Sequence, residues 1–574
     1  MIYRLALLFF YSCISVCLMS PVFADDSKTK MGGKVQTSSP NEKKVKKESL
    51  KEGVGPQGLH GCPAAVFPLD LRTIDGTNNN CLNPTWGSAP IEFLRLTAGG
   101  YADGKETPSG ENRPPARAIS NIVADQGDQD LAFYKKPKFS DYLWQWGQFL
   151  DHDLDLTPVV DPPEPFNINV PTGDKHFDPF GMGGKTISLN RSLYSVVDGV
   201  RQQVNHITAF IDASNVYGSD APRAQALRTM DGTGRLKTSA GDLLPFNDQD
   251  PALPNAAPGG ANPANFFLAG DFRTNEQVGL TAMHTLFVRE HNYWADYFHN
   301  LDSSLDEDEI YERARAIVGA EMQHITYYEF LPLLLGQKAL SPYRGYNSDV
   351  NPGISNEFAT AAFRLGHTLL SPKLRRLNEQ GKSIGDLPLR QAFFNPAEIT
   401  ANGIEPLLRG LASQAAQRFD IFIVDDVRNF LFGAPGSGGF DLASLNLQRG
   451  RDHGLPDYNQ VRQDFGLYPM KDFNKINPDR EIRDRLQAAY GSVNDMDLWI
   501  SGLAEKPVPD AVVGETILVI LKDQFERLRD GDRFWYESYL PKDLVKMVKK
   551  QTLAKVILRN TNIGQIQNNV FLVP

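Results

Sequence analysis

Apolar residues recur at helical spacing through several long stretches of the chain, while strand-like alternation is rare and brief. Tyr142, Leu143, Trp146, Phe149 and Leu150 follow that spacing after Ser140, a residue suited to an N-cap. Residues 280–299 repeat it behind Thr274 and Asn275, either of which can cap the helix. Residues 305–335 alternate charged and apolar faces over several turns, and 358–370 read as a compact apolar helix stopped by Pro372. Pro- and Gly-rich stretches at 251–263 and 433–439 read as surface loops. Beyond His60 there is no further break in composition and no fixed-period repeat. The pattern predicts an all-α fold, a single large and mainly helical domain over 56–574 with few short strands.

Composition agrees with a globular chain. Of 574 residues 41% are hydrophobic and 22% charged, enough for a sizeable core. A net charge of -10 without a long basic stripe argues against nucleic acid as a partner. At the start, Arg4 precedes an apolar run that ends in the small-residue site Val22-Phe23-Ala24. This predicts a secretory signal over 1–24, too short to anchor in a membrane, and hence a secreted or periplasmic protein with no transmembrane segment. Residues 25–55, rich in Lys and Ser with almost no aromatics, read as a disordered linker. Removing the signal leaves Cys62 and Cys81, which in an exported protein most simply form one disulfide worth about 3 kcal/mol.

Four segments carry candidate chemistry. In Trp146-Gly-Gln-Phe-Leu-Asp-His-Asp153, helical spacing puts Gln148, Asp151 and His152 on one face and turns Asp153 to another. A histidine in so apolar a helix needs a partner or a task. Thr208, Asp212 and Ser214 flank Phe210, whose backbone carbonyl adds an oxygen; with Asp153 this set suits a calcium ion. Arg273 and Glu276 lie three apart before a long helix, where Arg273 can serve as a fixed cation. His367 sits beside Gly366, which permits close approach of something flat, and Asn446 is a candidate acceptor for its ring.

With Arg72-Thr-Ile-Asp-Gly-Thr77, Asn83-Pro-Thr-Trp-Gly87, Phe363-Arg-Leu-Gly-His-Thr368, Leu445-Asn-Leu-Gln-Arg-Gly-Arg-Asp-His-Gly454 and Leu528-Arg-Asp-Gly-Asp-Arg-Phe-Trp535, these segments resemble the animal haem peroxidase superfamily, in the family's order. The resemblance runs from about residue 60 to the end, and two cysteines in the mature chain suit a simple secreted or bacterial member. It implies a haem b enzyme that reduces hydrogen peroxide through a ferryl intermediate and oxidises bromide, iodide, thiocyanate or phenols. His152 would be the distal acid-base, with Arg273 stabilising charge and Gln148 lining the pocket. His367 would ligate iron, Asn446 would accept from its other nitrogen, and Arg364 and Arg449 would sit near the propionates.

Asp151 and Glu276 would form ester links to haem methyls, and Asp153, Thr208, Phe210, Asp212 and Ser214 would bind calcium. Gln277 stands where the chloride-oxidising leukocyte enzyme has a methionine that adds a sulfonium link, which implies a less oxidising haem. Two alternatives share the scaffold. Fatty-acid dioxygenases need a tyrosine three residues before the proximal histidine, where this chain has Arg364. Adhesive or matrix-forming members would be favoured by loss of His152 or His367, and both are present.

Overall fold

Trp146, Phe149 and Leu150 are wholly buried on α1 (Tyr142–Leu154), the helix that carries His152. The computed structural model describes residues 61–127, 132 and 138–574, so the signal and linker predicted over 1–55 lie outside the described residues. Against α1 packs α2 (Val278–Leu301), with the Phe287 ring 5.0 Å from Phe149 and 5.8 Å from Trp146. Along α2 runs α3 (Glu307–Ile325), opened by a capping box in which Asp306 and Glu309 bond each other's backbone N–H. Its axis continues through a π-helical turn at Thr326–Phe330 into Leu331–Leu335. Thr326 in that turn accepts the Trp146 indole N–H at 3.3 Å, tying α1 to the bend.

The strands are few and short. A three-stranded antiparallel sheet has β1 (Ile91–Glu92) and β2 (Tyr194–Val197) on either side of β3 (Val200–Asn205). Ile91 faces Asn205 and Tyr194 faces Gln203. Asn205, the last residue of β3, clamps the end of α1: its amide donates to Leu154 O at 2.8 Å and its oxygen accepts from Leu156 N at 2.9 Å. Two more two-stranded ribbons complete a mainly helical fold, as the periodicity predicts.

Chain ends and motifs meet. Cys62 and Cys81 form the disulfide. The loop it closes is held by Asp532, which accepts from Arg72 at 2.8 Å and from the Asn79 amide at 2.8 Å. Among the described residues no helix is long and apolar enough to cross a membrane.

Three local expectations change. Gln277, rather than Thr274 or Asn275, caps α2, accepting from Gly279 N at 2.6 Å. Thr274 O is taken by the Thr281 hydroxyl and the Asn275 oxygen by Phe267 N. Ser140 stands one residue before the cap position of α1, where its hydroxyl accepts from Tyr142 N at 3.3 Å. The stretch 358–370 is a short α-helix, Asn356–Thr360, broken at Ala361 (φ -135, ψ -67) and followed by a 3-10 helix, Ala362–Thr368. The Arg364 guanidinium supplies the reason: its Nε donates to Ala359 O at 2.9 Å, a carbonyl that an α-helix would offer to Phe363 N–H.

Candidate active site

Helix α1 packs against the 3-10 helix bearing His367, against α2 and against the short helix Ser214–Tyr217. The four candidate segments therefore meet at the C-terminal end of one buried helix. His152 is 3% exposed, and its Nδ1, buried without a hydrogen-bond partner, lies 3.5 Å from Asp271 Oδ1. Burial, reinforced by the Arg273 charge, holds the His152 imidazole well below its ordinary pKa, so it is neutral near pH 7. A proton on Nδ1 facing Asp271 leaves Nε2 as the basic nitrogen.

Arg273 is fixed by a two-pronged pair with Asp271, at 2.9 and 2.8 Å, and by donation to Asp155 O at 3.0 Å. Its Nη1 stands 3.8 Å from Asp151 Oδ2. Burial pushes the Asp271 carboxyl up, but Arg273 and His152 overcome it and hold the group well below the usual range. Asp151 goes the other way: burial raises it, with Arg273 and Arg364 opposing. Glu276 is pushed up to about 7 by burial, against Arg273 and with help from Asp271 and Asp151.

Gln148 donates to Glu276 Oε1 at 3.3 Å and accepts from the Gln277 amide at 3.1 Å. The same amide donates to Gln145 at 2.7 Å. A Cβ on Gly279 would stand 2.5 Å from Gln145 Oε1 and 2.9 Å from Gln277 Oε1, so a larger residue there would push this amide pair aside.

Across from this cluster, His367 is half-buried, and a Cβ on the neighbouring Gly366 would meet nothing within 4 Å. The backbone next to His367 therefore has room for a close approach at Gly366. Burial, and then Arg364, pushes His367 down to about 3. Its Nδ1 lies 2.7 Å from Asn446 Nδ2, on α4 (Leu442–Asp452), and Arg364 donates to Asn446 Oδ1 at 2.9 Å. Arg364 also acts electrostatically on Asp151 and Asp155, which puts the His367 helix and the end of α1 on one locus. Arg449 Nη1 is engaged with Asn190 O, the Ser192 hydroxyl and Asp452 at 3.0, 2.8 and 2.9 Å.

Asp153 faces the opposite side of α1. Its carboxylate accepts from Asp212 N, Ala213 N and Asn215 N and from the Ser214 hydroxyl, all within 3.2 Å. Asp212 accepts from the Thr208 hydroxyl at 3.1 Å, and its other oxygen is buried without a hydrogen-bond partner. Two buried carboxylates, two hydroxyls and an orphaned oxygen make a donor set that suits calcium. Burial and the Asp212 charge raise Asp153 well above the carboxylate range, a strain that a cation would relieve. The Phe210 ring is wedged against Gly87, where a Cβ would come within 2.6 Å of it, and under Arg72 at 5.0 Å. That packing fixes the loop between the two carboxylates.

Sequence reasoning passed over Asp271, Gln145 and His284. Asp271 stands two residues before Arg273 in the same motif, which is the signal that a fixed cation needs a fixed partner. His284, on α2, has both ring nitrogens buried without partners and lies 6.5 Å from the His152 ring.

A mainly helical scaffold thus gathers two imidazoles, a braced arginine and a pair of raised carboxyls. The chain belongs to the animal haem peroxidase family, which matches residues 71–571, and is a peroxidase by class. It is 38% identical over 526 residues to peroxinectin A of Dictyostelium discoideum, covering 88% of this chain and 96% of that protein. The mouse peroxidasin homolog is also 38% identical, over 90% of this chain, but the chain spans only 38% of its length. Among solved structures, peroxidase A from Dictyostelium discoideum superposes with a TM-score of 0.82 at 36% identity, over 88% of this chain and 99% of that one. A rice (Oryza sativa) fatty acid alpha-dioxygenase shares the fold, with a TM-score of 0.74 at 21% identity over 90% of this chain and 89% of that one.

Proposed function

We propose that this peroxidase reduces hydrogen peroxide and oxidises bromide, iodide, thiocyanate or small phenols. The observation that carries the reading is a buried, neutral His152 beside a braced Arg273, on a helix that packs against the 3-10 helix of His367. Haem b supplies the redox chemistry when bound, with His367 as its iron ligand. His152 Nε2 takes a proton from hydrogen peroxide and returns it to the departing oxygen, the general acid-base role for which a depressed pKa keeps it ready. Arg273 stabilises the negative charge that develops on that oxygen. Gln148, pinned by Gln277, orders water or halide at the pocket wall.

Ligation of iron through His367 Nε2 requires a proton on Nδ1 and an acceptor facing it. Here Asn446 turns its nitrogen to the ring because Arg364 draws its oxygen away. Turning the amide over releases Arg364, which together with Arg449 is suited to the haem propionates. Asp151 and Glu276 carry the ester links, a role that fits two raised carboxyls beside one pocket. Asp153, Thr208, Phe210, Asp212 and Ser214 hold calcium and so fix the residue next to His152. Export to the periplasm or medium is supported by the Cys62–Cys81 disulfide. A dioxygenase reading has no phenol at position 364, where a guanidinium instead binds Asn446.

The test is a donor panel with purified holoenzyme. Peroxide-dependent bromination or iodination of a dye is expected, with chloride turned over far more slowly. Acid-acetone should fail to extract haem after brief turnover. Consumption of a polyunsaturated fatty acid without halide or phenol oxidation would reject the reading.

A further inference from the structure

Trp294 lies on α2 well away from the pocket, in surroundings that peroxide cleavage does not use. Its indole is 3% exposed and donates to Glu290 Oε1 at 2.7 Å and to Glu321 Oε2 at 3.3 Å. Both carboxylates are wholly buried and share Arg559. The Trp294 ring lies 5.1 Å from Tyr293 and 5.4 Å from Tyr297. Each tyrosine is 40% exposed, and with Asp296, Asn300 and Leu301 they line a shallow, open groove along the surface of this one helix.

The same helix begins at the active site. Near its start, the His284 ring is 6.5 Å from His152 and 5.0 Å from Phe149. Phe149, Phe287 and Trp146 form one cluster with ring separations of 5.0 to 5.8 Å. From Phe287 to Trp294 is about two helical turns, roughly 10.5 Å along the axis. The cluster around Phe287 and the cluster around Trp294 are thus about two turns apart on the same helix.

We propose that Trp294, Tyr293 and Tyr297 form a second oxidation site at the surface, where phenolic rings too bulky to reach the buried His152 lose electrons one at a time. The proposal rests on the peroxidase reading, because hydrogen peroxide is the oxidant. Reducing one peroxide to two waters takes up two electrons and two protons. Two phenols at the groove supply them, one electron and one proton each.

In each transfer Trp294 gives an electron inward through the aromatic cluster, and its N–H proton moves to Glu290. Tyr293 or Tyr297 then returns an electron to the indole, Glu290 returns the proton, and the tyrosine's own proton goes to water. A phenol in the groove restores the tyrosine by giving up its hydrogen atom, and the resulting phenoxyl radicals couple in solution. Arg559 stands 4.7 Å from the Tyr293 ring centre and 5.4 Å from that of Trp294. A cation so close opposes a radical cation on the indole, which is why the proton must leave with the electron.

Holoenzyme is treated with peroxide and a nitroso spin trap, and adducts are mapped by peptide mass spectrometry, counted per peroxide consumed. Adducts are expected on Tyr293 and Tyr297, and Trp294→Phe should remove them. As a variant confined to the surface, Tyr293→Phe with Tyr297→Phe should lose oxidation of tyramine coupled to dextran, again per peroxide consumed. Adducts absent from both tyrosines, or undiminished in Trp294→Phe, would overturn the site, as would undiminished dextran-tyramine oxidation in the double variant. Failure of the wild type to consume peroxide with any small donor would instead bring down the peroxidase reading itself.

Discussion

His152 and His367 stand on opposite kinds of backbone. One ends an unbroken α-helix, is buried to 3% exposure and faces a carboxylate 3.5 Å away. The other follows a break and sits half-buried on a 3-10 helix beside Gly366, where an added Cβ would meet nothing within 4 Å. A group that must move a proton at a fixed point gains from a rigid, water-free helix end. A group that must meet a large planar ligand gains from a backbone that has been unwound to make room.

The contrast breaks most completely at His367. His367→Ala should abolish activity and lose haem, read as absence of the Soret band after gel filtration; a normally loaded variant would refute the ligand role. His152→Ala should keep the Soret band but slow the reaction with peroxide by about 10²- to 10⁴-fold, the usual worth of a positioned acid-base. Stopped-flow spectra check it, and an unaltered rate would make the oriented ring merely structural.

Removing calcium reaches His152 from behind. At a thousandfold excess over Kd the ion contributes about 4 kcal/mol, so chelation should lower Tm and Asp212→Asn should blunt that response. Acid has a smaller and more gradual effect. His284 and His291 are each pushed down to about 4 by burial, below the unfolded value of 6.5. The unfolded chain therefore binds more protons between these limits, so stability should fall as pH drops from about 6.5 toward 4. The rate with peroxide should hold level from pH 7 to 6, since the depressed His152 stays neutral there. Urea melts and rate measurements over one pH series separate the two.

Much of this was legible from residue order. The spacing of Trp146, Phe149 and Leu150 placed α1, and three- and four-residue steps put Gln148, Asp151 and His152 together at one helix end. What escaped was decided by side chains reaching across the fold. Arg364 unwinds its own helix by taking the Ala359 carbonyl, which local periodicity cannot reveal. Gln277 displaces two better capping residues because its amide also finds Gln145 and Gln148. Asp271 braces Arg273 within its own motif, but its place beside His152 arises from the approach of another helix.

Position 277 also sets a limit on how this scaffold can be redesigned. Introducing a methionine there to gain a thioether-derived bond would delete a side chain that both starts α2 and staples it to α1. Loss of the cap alone costs about 1 kcal/mol, and it would come with a loosened pocket wall. Greater oxidising strength and a stiff frame therefore compete for one residue, and an engineer seeking the first must rebuild the second elsewhere.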